Sequence, residues 1–324
     1  MRVVCLYADN QACGNYRIFP YRKIKSDIEF ILCQQLHESG LKNTNEAHGW
    51  LFQRPSDQHF LDYIKGINSE GGITVVEIDD DLNSIPYSNP VHGFTRSDQA
   101  KIHEECLRAA KYVHVSTPEL ARSEKYIVFP NAINLSKYTN PLPKIDRSVL
   151  WQGSPTHTES LDLIKPAIQE LLSDGVNVIL CSNLQWLQSQ FKSHKNLHLK
   201  GWLAFEDSYR IPSMATINLT PLPDNVFNNK KSELKILEAA AWSIPSVSSD
   251  IAPYRRFYEK SNGGNVIVRK EKTKYWIEAI YSLLDTPFLY DNLAARSYEC
   301  VEKYYNLAVV NQQRSAWWAK VLNK

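Results

Sequence analysis

Short apolar runs alternate along the chain with longer stretches in which apolar residues recur every three or four positions. The first half carries runs at 3–7, 50–53, 74–78, 112–115 and 126–129. Their length and β-branched content predict strands, and the helical spacing at 18–37, 57–68 and 98–110 predicts helices between them. Buried strands joined by helices form parallel sheets with right-handed crossovers. The segment TNPLPKIDR then breaks both periods with two prolines, which predicts an interdomain linker over 139–148. The alternation resumes with strands at 149–152, 177–181, 197–199, 216–220, 246–248 and 265–268, and helices at 159–173, 232–242 and 274–284. Two more helices are expected over 289–322. The pattern predicts two successive α/β doubly wound domains, 1–138 and 149–305, with a last helix at 306–324 able to pack back on the first.

Composition narrows the class. With 324 residues and 43% hydrophobic content, the chain can build a core in each domain. A net charge of +2 argues against a dedicated polyanion binder while leaving room for a local basic patch. The six cysteines are scattered without a C-x-x-C pair, which points to reduced thiols in a cytosol and not to a disulfide frame or zinc site. The start MRVVCLYADN has no signal-peptide layout, and no apolar run approaches the roughly 20 residues needed to cross a bilayer. A cytoplasmic location is expected. No P-loop, no G-x-G-x-x-G after a strand and no H-E-x-x-H is present, so dinucleotide and zinc-hydrolase chemistry are unsupported.

The most informative segment is FNNKKSELKILEAAAWSIPSVSSD, from Phe227 to Asp250. Lys230 and Lys231 stand just before Ser232, which suits an N-cap, followed by Glu233 and an amphipathic run. Free amides and a partial positive charge at a helix N-terminus, with two lysines beside it, would hold a diphosphate. The alternative is an ordinary amphipathic helix with a solvated lysine pair.

This segment resembles the signature of the GT-B glycosyltransferases with retaining chemistry, the family 4-like group. A branch met in phage and surface-polysaccharide genes is similar in its KSELK-type stretch and its later Ser249, Asp250, Pro253 and Tyr254. The resemblance covers nearly the whole chain. It implies two Rossmann-like domains facing a central cleft, a nucleotide-sugar diphosphate on the Ser232 helix, and Glu238 on the ribose hydroxyls. Two positions depart from the family: Lys230 replaces a glutamate eight residues before Glu238, and Ser232-Glu233 replaces a glycine-rich turn.

Further candidates fall after predicted strands. Gly14 permits a tight turn before Asn15, Tyr16 and Arg17, and Arg17 could grip phosphate in bidentate fashion, near the basic Arg22, Lys23 and Lys25. The alternative is a helix first turn with surface bases. Asp79, Asp80 and Asp81 could bind a metal as a D-x-D, orient an acceptor hydroxyl or donor sugar in the cleft, or cap the following turn. Gly153 and Ser154 end the second domain's first strand, and His157 lies in the loop beyond. In the family that loop supplies an arginine and a lysine, where this chain has Ser154 and Thr158. Asn228 suits either a base or ribose contact or a turn. Ser116, Thr117, Pro130 and Asn131 are expected to be structural.

The resemblance implies a nucleotide-sugar-dependent transferase acting with retention and without a required metal. The donor would be a UDP- or GDP-sugar, with Arg17, Asp79, Asp80 and Lys231 at the reacting end. The expected acceptor is a glycan or lipid-linked sugar. Two alternatives stand: duplex phage DNA carrying a hydroxymethylated pyrimidine, with the Arg17–Lys25 cluster and Tyr16 and Tyr21 on it, and an inactive nucleotide-sugar-binding regulatory subunit.

Overall fold

The computed structural model describes residues 1–34, 46–270 and 272–323. Its first sheet holds β1 (Arg2–Tyr7), β2 (Glu29–Gln34), β3 (Gly49–Gln53), β4 (Ile73–Ile78), β5 (Tyr112–Val115) and β6 (Tyr126–Val128). The order is β2-β1-β3-β4-β5-β6, and every pairing is parallel. The second sheet holds β7 (Ser148–Gln152), β8 (Asn177–Cys181), β9 (Leu197–Lys200), β10 (Ile217–Thr220), β11 (Ser246–Ser249) and β12 (Val266–Val268). Its order is β12-β11-β10-β7-β8-β9, again all parallel. The expectation of two Rossmann-like doubly wound units is met.

The runs are continuous rather than alternating because helices cover both faces of each sheet. Val3, Val4, Cys5, Val75, Val76, Val149 and Leu150 are all fully buried. The helix Gln58–Ser69 shows the local logic: Asp57 accepts from the His59 amide at 2.9 Å, and Leu61, Ile64 and Ile67 face the sheet.

One expected helix is not there. The spacing over 18–37 predicts a helix, but its described part holds a 3₁₀ turn, Phe19–Lys23, and then the edge strand β2. Pro20, without an amide proton, cannot extend the helix Ala12–Arg17 and sits instead in the first turn of the 3₁₀ segment. The run EFILCQ instead pairs with β1, Val3 opposite Phe30 and Val4 opposite Ile31. Residues 35–37 lie outside the described residues.

The chain crosses between lobes twice, and the crossings run side by side. The Ile133 amide donates to the Tyr305 carbonyl at 2.7 Å, and the Leu307 amide donates to the Ile133 carbonyl at 2.8 Å. After Pro287–Cys300 packs on the second domain, Leu307–Leu322 returns to the first sheet. There Trp318, fully buried, packs with Val3, Cys5, Leu51 and Val75.

Both sheets reverse their strand order once, between β1 and β3 and between β7 and β10. Crevices beyond the carboxyl ends of strands at such points are where open α/β sheets bind ligands.

Candidate functional site

The loops after β1, β3 and β4 meet the loops after β7 and β10 across the interface between lobes. The β1 loop is set by Asp9, whose carboxylate accepts from the Gln11 amide at 2.7 Å and the Gly14 amide at 3.3 Å. Gly14 lies so close to the Asp9 carbonyl that a Cβ would sit 2.0 Å from its oxygen. This close approach fixes the short helix Ala12–Arg17 and aims Tyr16 across the cleft, where its hydroxyl donates to Glu238.

Arg17 does not face the cleft. It is 1% exposed, its Nε donates to Glu77, and its Nη1 donates to the Phe129 carbonyl at 2.6 Å and to Asn131 at 3.2 Å. A buried guanidinium must be paired and hydrogen-bonded, and these partners use Arg17 to tie the β1 loop to the end of β6. Burial raises the Glu77 carboxyl, and the Arg17 charge opposes that rise.

The three acids are each held by a cation. Arg54, after β3, donates through Nε to Asp79 at 2.6 Å and reaches Asp80 at 3.5 Å. Its φ of 46° is the left-handed region, a strained choice for a side chain as bulky as arginine. Burial pushes the Asp79 carboxyl up, but the Arg54 and Arg17 charges outweigh it and leave it below the usual range. Asp80 also pairs with Lys231 at 3.2 Å. Asp81, deeply buried, accepts from Lys230 and from Ser84 at 2.7 Å, with Arg122 at 3.5 Å. Burial raises Asp81, yet those bonds and charges bring it below the ordinary value. Among the described residues, no group of three or more His, Cys, Asp or Glu side chains is arranged to hold a metal ion.

The second domain's wall is built by the β10 loop and the helix after it. Asn225 accepts from the Asn228 amide at 2.8 Å, and Asn228 is buried with its Nδ2 on the Pro223 carbonyl at 2.9 Å. Asn228 therefore serves the turn. The expected helix at 232–242 is shorter, Leu234–Ala240, and its cap position is Glu233 rather than Ser232. The Ser232 hydroxyl accepts instead from Asn131 of the first domain at 2.8 Å. Glu233 is buried against Arg256, which also reaches Glu119 across the interface. Lys231 lies 4.2 Å from the Phe227 ring centroid.

Lys235 and Glu238 point the same way, one helical turn apart. The Lys235 ammonium donates to the Gln152 carbonyl, and the Gln152 amide donates to Glu238 at 3.3 Å. Burial lowers Lys235 to about 8, with Lys231 adding to the effect and Glu238 opposing it. Burial raises both the Glu238 carboxyl and the Tyr16 phenol that donates to it. At the end of β7, a Cβ on Gly153 would lie 2.7 Å from the Trp151 ring, so any larger residue there would have to displace that buried side chain. Ser154 shares a 2.5 Å hydrogen bond with Thr156. His157 is held well below its usual range, first by burial and then by the Lys235 and Lys231 charges.

Thus Tyr16, Asp80, Asp81, His157, Lys230, Lys231 and Glu238 converge, while Arg17, Asn228, Ser232 and Glu233 serve the frame. Asp79 is held against Arg54. Sequence reasoning missed Lys235, Gln152 and Arg54. The spacing of Lys231, Lys235 and Glu238, at i, i+4 and i+7, was the available signal for Lys235. The Ser249–Tyr254 stretch is structural: Ser249 accepts from the Leu222 amide at 2.9 Å, Asp250 pairs with Arg255 at 2.9 Å, and Tyr254 is buried. A cavity of about 880 Å³ beside Asp250 and Arg255, on the flank of the second domain, includes none of the convergent residues.

The sequence matches no protein-family model and none of the curated proteins. Solved structures do match over the full length. The HepE protein of Anabaena in complex with UDP-glucose superposes with a TM-score of 0.70 at 12% identity, covering 99% of this chain and 100% of that one. Sucrose-phosphate synthase from Thermosynechococcus elongatus gives 0.74 at 10% identity, covering 100% and 99%. An alpha-glucosyltransferase in complex with UDP and a 13-mer DNA containing an HMU base gives 0.70 at 14% identity, covering 100% of both chains. At these identities the likeness is one of fold, and the fold is the two-domain GT-B arrangement of glycosyltransferases.

Proposed function

We propose that the protein transfers a sugar from a nucleotide-sugar donor to an acceptor hydroxyl. The observation that carries this reading is the convergence of Lys231, Lys235 and Glu238 at the switch point of the second sheet. The ammonium groups would hold the diphosphate and stabilise the charge that develops on it as the sugar leaves, which is preorganised electrostatic catalysis. Glu238 would accept from the ribose hydroxyls. His157 and the turn at Gly153 and Ser154 would line the phosphates, and Lys230 would reach the sugar end. Asp80, with Asp79 held behind it by Arg54, would face the reacting centre from the first domain. Arg17 and Gly14 act as positioning residues for Tyr16. Retention and catalysis without a required metal belong to this reading through the family resemblance, and a UDP- or GDP-sugar donor is supported by neighbours crystallised with UDP or UDP-glucose.

The acceptor proposed is a glycan or lipid-linked sugar. A second reading, duplex DNA carrying a hydroxymethylated pyrimidine, is favoured by the full-length likeness to the alpha-glucosyltransferase bound to HMU-containing DNA. Binding to duplex DNA that weakens steeply with salt would support DNA, and no binding at low salt would remove it. The central test is turnover with a panel of nucleotide sugars and acceptors, read by mass spectrometry. Lys231→Ala and Glu238→Ala should each lower turnover by about 10²-fold or more while the protein stays folded. Wild-type rates in both would remove the assignment. Donor binding with no release of nucleoside diphosphate would instead mark a regulatory subunit.

A further inference from the structure

We infer that the cleft is latched by groups of the first domain standing in for a nucleoside diphosphate, so that donor binding is an exchange. The inference rests on the function proposed above and concerns how that site is opened. Three of the groups the second domain would offer to the donor, Lys230, Lys231 and Glu238, already have a matching partner from the first, while Lys235 keeps the Gln152 carbonyl of its own domain. Lys231 carries the Asp80 carboxylate at 3.2 Å, and Lys230 carries Asp81. A carboxylate on an ammonium group is the same kind of charge-assisted contact that a phosphate oxygen would make. Glu238 accepts from the Tyr16 phenol, as it would from a sugar hydroxyl. Two anions and one hydroxyl, all from one wall, thus satisfy two of the cations and the carboxylate of the other.

The arrangement is reversible because the acids have second partners at home. Asp80 stays 3.5 Å from Arg54, and Asp81 keeps Ser84 at 2.7 Å and Arg122 at 3.5 Å. Neither carboxylate is left unpaired if its lysine turns to the donor, so the large penalty of a bare buried charge is avoided. Other cross-domain contacts do not depend on the lysine side chains. Thr117 donates to the Lys230 carbonyl at 2.9 Å, Asn131 to Ser232 at 2.8 Å, and Arg256 joins Glu119. They keep the lobes joined while the exchange occurs. Diphosphate entry then frees Asp80 on the first-domain side, beside the reacting centre, only when a donor is present.

The experiment is calorimetric titration of UDP and of GDP into the wild type, Asp80→Asn, Tyr16→Phe and Lys231→Ala, each checked for folding by thermal melting. Removing one anion from beside the phosphates should tighten binding to Asp80→Asn by about tenfold. Tyr16→Phe should also bind more tightly, and Lys231→Ala should lose binding. Tight binding by Asp80→Asn alone, with none by the wild type, would be the latch in its strongest form. If Asp80→Asn binds no more tightly than wild type while Lys231→Ala loses binding, the latch is wrong and the donor site stands. If neither nucleotide binds the wild type or Asp80→Asn, both readings fall. Should Asp80→Asn not fold, Tyr16→Phe decides by the same criterion.

Discussion

Lys235 is a cation kept at the edge of its charge. Burial holds it near 8, well below the roughly 10.4 of a free lysine. The sign follows directly: below about pH 8 it is an ammonium ion that attracts phosphate, and above that it is a neutral amine. Nucleoside diphosphate affinity should therefore fall as pH rises through about 8. Lys235→Arg, which stays charged, should flatten that fall, and titration between pH 7 and 9 would read it. An unchanged pH profile in the variant would place the titration elsewhere. His157 works in the same sense: burial and the two lysine charges keep it neutral, leaving its ring able to accept as well as donate. Glu238 and Lys231 were legible from the sequence because a motif surrounds them. Lys235 was not, because an amphipathic helix always carries some lysines and only the packing around Gln152 singles this one out.

At the scale of elements, the short helix Ala12–Arg17 decides what the first domain presents. Its face is set by the contact of Gly14 on the Asp9 carbonyl, which leaves no room for a methyl group. Gly14→Ala should cost about 1–3 kcal/mol through overpacking and shift Tyr16 off Glu238. Urea denaturation would measure the first effect and UDP titration the second. A neutral substitution would mean the loop yields without strain. The same helix explains why Arg17 misled: a basic residue after a glycine turn resembles a phosphate ligand, but Glu77 on β4 lies beneath it and draws it into the core. Likewise the lost helix over 18–37 became β2 because β1 lay open for pairing, a fact about neighbours rather than about local spacing. The lysine helix proved shorter than its pattern, since Ser232 spends its hydroxyl on Asn131 from the other lobe.

At the scale of the whole molecule, the lobes are tied by two adjacent crossings and by the last helix, which follows the second crossing and packs on the first domain from Leu307 onward. Trp318 is its main anchor, and it is fully buried against the first sheet. Trp318→Ala should destabilise the first domain by about 3–5 kcal/mol. Separate unfolding of the lobes, seen as two calorimetric transitions where the wild type shows coupled ones, would be the signature. A single unchanged transition would mean the helix adds little to the coupling.

Period and residue type were enough to establish the two doubly wound sheets and the placing of glycines and charged residues after strands, because burial on both faces of a parallel sheet writes continuous apolar runs into the chain. They also singled out the lysine segment. What they left open was which charges meet. Arg17 with Glu77, Asp80 with Lys231, Asp81 with Lys230 and Tyr16 with Glu238 are pairs separated by long stretches of chain. The folding of the first sheet brings the first pair together and the apposition of two lobes the other three, and electrostatic partnership depends on distance in space, on which local pattern is silent.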